Sequence, residues 1–227
     1  MSINKDINNN VDNTYLAKKY IQEVKATLSE CDLEISKKMI DEVNSNGYYI
    51  KYLFELSWMD KDDFLIIDGI IMKYATKFES WKIRNSLFRY LAKKGNYLVT
   101  DFLLEQFCKE NDCQDGRDWN FTRRGVCSSA LEVIRDKSKI NKYMSIVSDI
   151  NTRQDSYFFV LLIGELKAIE AIPLLIGLLQ ENNIYLQSAA IQALSKFKRK
   201  INLQPLIEPF LDSKNEIIRE YACHALK

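Results

Sequence analysis

The chain is short of the residues that punctuate β-structure. It has seven Gly and three Pro in 227 residues, too few turn formers for an all-β fold. It has almost no net charge, with 32 Lys plus Arg against 31 Asp plus Glu. That removes the long-range electrostatic attraction expected of a protein built to hold nucleic acid or an anionic membrane, although a local basic patch stays open. Long apolar runs are missing too: "YFFVLLIGEL" and "AIPLLIGLL" are each too short to cross a bilayer. The amino terminus, "MSINKDINNN", is polar and has neither an apolar signal core nor a cleavage-site pattern. Five Cys, an odd number without framework spacing, argue for reduced thiols. The expectation is a cytoplasmic protein with no membrane segment.

Histidine is nearly absent. With His224 as the single imidazole, Ser-His-Asp or Cys-His catalysis would have to run through it, and its sequence neighbours supply no partner. There is no Gly-rich phosphate loop and no metalloprotease motif. Cys108 and Cys113 have four residues between them and no second pair follows, so no zinc site is expected and the thiols read as small hydrophobes. No cofactor or catalytic residue is assigned.

What the chain does have is repetition. "YLQSAAIQAL" from Tyr185 and "IIREYACHAL" from Ile217 are nearly the same phrase, 32 residues apart. Leu186, Ala190, Ala193 and Leu194 align with Ile218, Ala222, Ala225 and Leu226. The offsets i, i+4, i+7 and i+8 place each set on one face of a helix, and the small Ala allows close approach of a neighbour. The same template leads at 50 (Ile50, Phe54, Ser57, Trp58), 83 (Ile83, Leu87, Tyr90, Leu91), 123 (Arg123, then Cys127, Ala130, Leu131) and 155 (Asp155, then Phe159, Leu162, Ile163). The steps between leads are 33, 40, 32, 31 and 32 residues, a constancy that single amphipathic helices do not produce by accident. Between them, "AIPLLIGLL" and "LQPLIEPFL" align with Pro173 over Pro205, and Pro is tolerated in a first helical turn. Each unit reads as helix, turn, helix, turn and must stack on its neighbour to bury its apolar stripe. The expectation is an all-α, right-handed α-solenoid of about six helix pairs.

Residues 1–13 are Asn- and Asp-rich with little apolar content and are expected to be disordered. Tyr15, Leu16, Tyr20, Val24 and Leu28 suggest a helix covering the first repeat. The expected organisation is a single domain over 14–227.

The second helix with its Arg and its Ala-Leu ending, together with "GELKAIEAIPLLIGLL", resembles the HEAT-like repeats, including those of the bilin-lyase type, most closely over 155–227. In that family an Asp in the turn within a repeat and an Arg on the second helix form a ladder between repeats. Asp212 and Arg219 match both positions, while Gln180 and Gln187 replace them one repeat earlier. HEAT-like repeats occur in scaffolds, adaptors and lyases alike, so the fold does not deliver function; with no catalytic motif in the chain, the expectation is a scaffold or adaptor that binds another protein without catalysis. HEAT-like proteins also include alkylpurine DNA glycosylases, and Trp81, Asp118, Trp119, Arg123 and Arg124 are residue types such an enzyme uses. Neutral net charge disfavours this nucleic-acid alternative.

Two surfaces are candidates for binding. The 40-residue step places about eight extra residues in "CKENDCQDGRDWNFTRRG", a long loop of the kind that carries binding in solenoids. Trp119 and Phe121 could instead tuck back and cover a gap. The residues one past each lead, Lys51, Arg84, Arg124, Ser156, Gln187 and Arg219, fall in one row. Either they brace repeat against repeat, or Arg84, Arg123 and Arg124 start a basic stripe that meets an acidic protein or a phosphate backbone. Tyr221 and Cys223 lie outside the inward stripe of the last helix, which marks that end as a further contact surface. Oligomeric state is not legible.

Overall fold

The computed structural model describes residues 28–58, 64–109 and 122–227. Among them it is all-helical, with no strand, and no helix is long and apolar enough to cross a membrane. The chain divides into two compact units, Met1–Arg84 and Asn85–Lys227.

In the first unit, α1 (Glu30–Ser45) packs against α2 (Phe64–Ala75). Met39 and Val43 of α1 and Ile67 and Ile71 of α2 are buried. Across the same pair, Glu42 accepts hydrogen bonds from Lys73 and from the Tyr74 hydroxyl, the latter at 2.8 Å. Asp32, 2% exposed, accepts from the backbone N–H of Glu79 (2.8 Å) and Ser80 (3.0 Å) just ahead of α3 (Trp81–Tyr90). A carboxylate there satisfies donors at the entry to a helix whose own first turn carries no acidic residue.

The helix expected to lead at Ile50 is absent. Residues Leu53–Trp58 form a 3-10 helix instead. The reason is tertiary. The Asn44 side chain accepts from Ile50 N–H (2.8 Å) and donates to its carbonyl (3.0 Å), so both backbone groups of Ile50 are taken by an amide rather than by helical neighbours. Glu55 then folds back to accept from Lys51 N–H at 2.6 Å and Tyr52 N–H at 3.2 Å. The expected helix from Tyr15 lies outside the described residues.

The second unit holds four helix pairs: α4 (Thr100–Cys108) with α5 (Arg123–Ile134), α6 (Ile140–Ser148) with α7 (Tyr157–Glu165), α8 (Ile172–Leu178) with α9 (Ile184–Ser195), and α10 (Gln204–Ile207) with α11 (Glu216–Leu226). The second members stack in order, α5 on α7, α7 on α9 and α9 on α11. The stripes read from the sequence face the core: Cys127, Ala130 and Leu131; Phe159, Leu162 and Ile163; Leu186, Ala190, Ala193 and Leu194; Ile218, Ala222 and Ala225 are all buried. Phe159 sits at the centre, edge-on to Phe107 at 4.8 Å and stacked on Tyr143 at 5.4 Å between ring centroids. Side-chain caps start three of these helices. Thr122 accepts from Gly125 N–H, Asn183 from Tyr185 and Leu186 N–H, and Asn215 from Ile218 N–H.

Candidate functional site

Each second helix begins beside the carboxy-terminal end of its first helix, where backbone carbonyls have no helical partner. One side chain per pair reaches back to fill that gap. Arg124 Nε donates to Phe107 O (3.2 Å), Gln187 Nε2 to Leu179 O (2.7 Å) and Arg219 Nη1 to Ser213 O (2.6 Å). In the pair α6/α7 the residue one past the lead is Ser156, and the role passes to Arg153, which donates to Val147 O and Ser148 O. Arg153 lies three residues before Ser156, off the helical spacing that marks the other three positions.

The same guanidinium groups tie pair to pair. Arg124 Nη1 is 2.8 Å from Asp155 Oδ2 and also donates to Asn151 O. Arg153 Nη1 is 2.8 Å from Glu181 Oε1, and Asn183 donates to Gln154 alongside. Of the expected site residues, Arg124 is therefore committed inward, with its side chain 14% exposed and its charge 5.7 Å from the Phe107 ring centroid. Arg123 opens α5 half-buried, and Arg84 lies on α3 in the first unit, 8% exposed. Trp119, like Asp118 and Cys113, lies outside the described residues. Asp212 is exposed, and Arg219 meets the carbonyl of the residue that follows it.

The carboxy-terminal ends of the second helices form the opposite edge. Glu165 Oε1 and Oε2 are held by Lys196 (2.5 Å) and Arg135 (3.1 Å), joining the ends of α5, α7 and α9. The hydrogen bond from Lys196, helped by both neighbouring positive charges, holds this carboxyl below the usual glutamate range despite its partial burial. Lys139 pairs with Asp101 at the starts of α6 and α4, and Gly95 N–H reaches Ile134 O at 3.1 Å. All the turns that lead from one pair to the next thus lie along one edge of the stack.

Between α8 and α10 the surface opens into a groove of about 450 Å³. Its apolar lining is Ile176, Leu179, Pro205, Leu206, Pro209 and Phe210, with Gln180, Asn182 and Gln187 at its polar side. Pro209 accounts for the opening. It has no N–H to give, so α10 stops at Ile207 and continues only as the 3-10 turn Glu208–Phe210, half a helix where α8 has seven residues. Glu181, the one acid in the lining, is already held by Arg153. The α8 segment carries no charge from Ile172 to Leu179, so its exposed side stays apolar. The two proline-bearing segments align in sequence, and the groove comes from the unequal lengths of the helices they form.

No group of three or more His, Cys, Asp or Glu close enough to hold a metal occurs among the described residues. Cys31, Cys108 and Cys223 are exposed, and Cys127 is buried in α5.

Residues 155–227, from the end of the third-from-last intra-pair turn to the last helix, match the family model of HEAT repeats. That segment is α7 through α11, the part whose stripes align best. No curated protein matches the chain.

Proposed function

We propose that this protein is a non-catalytic scaffold or adaptor that binds another protein through its helical-repeat surface in the cytoplasm. The right-handed array of about six helix pairs is part of that proposal. HEAT repeats commonly serve as protein-interaction scaffolds, and residues 155–227 match that family. The observation that carries the reading is the groove between α8 and α10. Its exposed lining is more polar than apolar, so the Gln180 and Asn182 amides can orient a partner segment while Ile176, Pro205, Leu206 and Phe210 give it a small apolar contact without demanding a charge.

The test is affinity capture from a native lysate with nuclease present, comparing the wild-type chain with Leu206→Asp. Leu206 is half-buried at the groove wall, so the substitution places a charge there without emptying the core. A protein retained by the wild type and lost by the variant, at equal helicity and melting temperature, supports the reading. Equal capture by both removes the groove from it. Material that vanishes on nuclease treatment favours the nucleic-acid alternative.

A further inference from the structure

We infer that the edge formed by the turns between helix pairs is a second binding surface, and that it fits an acidic, extended protein segment. The inference goes beyond the groove and rests on different residues, so either can stand without the other.

The first observation is an imbalance of charge that the whole-chain balance hides. On this edge the carboxylates are already engaged. Glu165 is held by Lys196 and Arg135, Glu132 lies 3.3 Å from Arg135, Asp101 pairs with Lys139, and buried Asp136 accepts from Ser138. Glu170 alone is exposed there without a partner among the described residues. The cations outnumber them. Lys94, Lys137, Lys167, Lys198, Arg199 and Lys200 are exposed, and among the described residues none has an ion pair or side-chain hydrogen bond. They occupy the successive turns after α3, α5, α7 and α9.

A second observation concerns the backbone. Arg135 and Lys167, at equivalent places after α5 and α7, have φ of 61° and 54°. The left-handed conformation after a helix is where glycine is favoured, and the turn after α3 does use Gly95 at φ 81°. At the next two turns the chain accepts a strained backbone and keeps a cation; Arg135 is committed to Glu165 and Glu132, so the uncommitted one is Lys167. Proximity to a helix carboxy terminus favours a positive charge, but it favours one equally at neighbouring positions that have no such strain.

The third observation selects the partner. Exposed apolar side chains are interleaved with the cations: Tyr97 at 58%, Leu98 at 50%, Val133 at 39% and Ile169 at 54%. A nucleic-acid backbone is held by cations and aromatic stacking, and aliphatic side chains add little to either. A polypeptide bearing acidic and apolar residues satisfies both features. Helix pairs stack about 10 Å apart, and a segment in polyproline II conformation advances about 3.1 Å per residue with three residues per turn, so an acidic residue at every third position would face one turn after another.

The experiment uses the full chain and a fluorescein-labelled twelve-residue peptide with Glu at every third position and Leu between. Probes run in parallel are the same peptide with Gln for Glu, a single-stranded DNA of similar length and phosphatidylserine vesicles. The expected result is binding of the Glu peptide alone, weakened severalfold between 50 and 200 mM salt. It should fall at least tenfold in Lys198→Glu/Arg199→Glu/Lys200→Glu, with helicity unchanged, and persist in Leu206→Asp. Should the triple reversal not fold, Lys94→Gln/Lys137→Gln/Lys167→Gln gives the same readout. Binding that survives both sets, binding lost only in Leu206→Asp, no binding at all, or tighter binding to DNA or vesicles each overturns the inference.

Discussion

Gly164 of α7 lies directly against Ala193 of α9: a Cβ placed on Gly164 would sit 2.6 Å from Ala193 Cα and 2.8 Å from its Cβ. The contact is to backbone, so a rotamer change cannot relieve it. It sets how closely the second and third helix pairs stack, with Ala193 at one of the four stripe positions. Helix propensity alone would make Gly164→Ala stabilising by about 1 kcal/mol. Overpacking opposes it with about 1–3 kcal/mol and a displaced helix pair. We predict a net loss of stability, read as a lower midpoint in urea. A raised midpoint would show that α7 and α9 separate freely.

How far this was readable in the sequence differs from residue to residue. Ala193 was placed on the packing face by its spacing from Leu186 and Ala190, because helical period is a local property. Its partner Gly164 was not, since nothing in the chain says which turn of α7 it meets. Asn44 taking both backbone groups of Ile50 is likewise invisible to a periodicity template, and there the expected helix failed. The basic edge does leave a signal in the sequence. Lys94, Lys137, Lys167 and Lys198 recur at close to the repeat step, although the chain as a whole is nearly neutral. Net charge sums over the molecule, whereas an edge is a choice of where the fold puts each sign.

Arg124 joins three things at once: the orphan carbonyl of Phe107, the carbonyl of Asn151 and the carboxylate of Asp155. Both charged side chains are well under a third exposed. Removing the guanidinium leaves Asp155 facing that site without its cation, and Arg124→Ala is expected to cost about 2–3 kcal/mol. Arg124→Lys should recover little, because one ammonium cannot reproduce a forked set of donors. In a double-mutant cycle with Asp155→Asn, the two losses should fall short of additive by about 1 kcal/mol or more. Additive losses would show that the pair does not act as a brace. This outcome also bears on surface mapping, since loss of binding in an Arg124 variant is then not diagnostic of contact with a partner.

Glu165 makes stability depend on acid. Lys196 and Arg135 depress its folded pKa, whereas an unfolded glutamate titrates at about 4.3. The unfolded state therefore binds its proton first as pH falls. Stability from this group is fully present above the unfolded value and is lost as pH drops through the folded one. The carboxyl is partly exposed, which weakens the effect by solvent screening. Glu165→Gln should lower the melting temperature at pH 7 and converge on wild type below about pH 4. A constant difference across that range would mean that Glu165 contributes by shape rather than charge.

Tyr143 produces the mirror case at high pH. Its ring is fully buried and stacked on Phe159, and its hydroxyl has no hydrogen-bond partner among the described residues. Burial first, then the carboxylates of Asp136 and Asp101, push the phenol's pKa up, well above that of a free tyrosine. The folded state holds the proton after the unfolded chain has lost it at about 10, so stability must decline as pH rises past that point. Tyr143→Phe keeps the stacked ring and removes both the buried hydroxyl and the titration. At pH 7 the variant should be equal to wild type or more stable by up to about 1 kcal/mol, because an unpartnered buried hydroxyl contributes a desolvation penalty and nothing in return. Between pH 9 and 11 its unfolding midpoint should fall less steeply than that of the wild type. A loss of more than about 1 kcal/mol at pH 7 would instead reveal that the hydroxyl makes a hydrogen bond in solution, and the tyrosine would then count among the groups that hold α6 to α7.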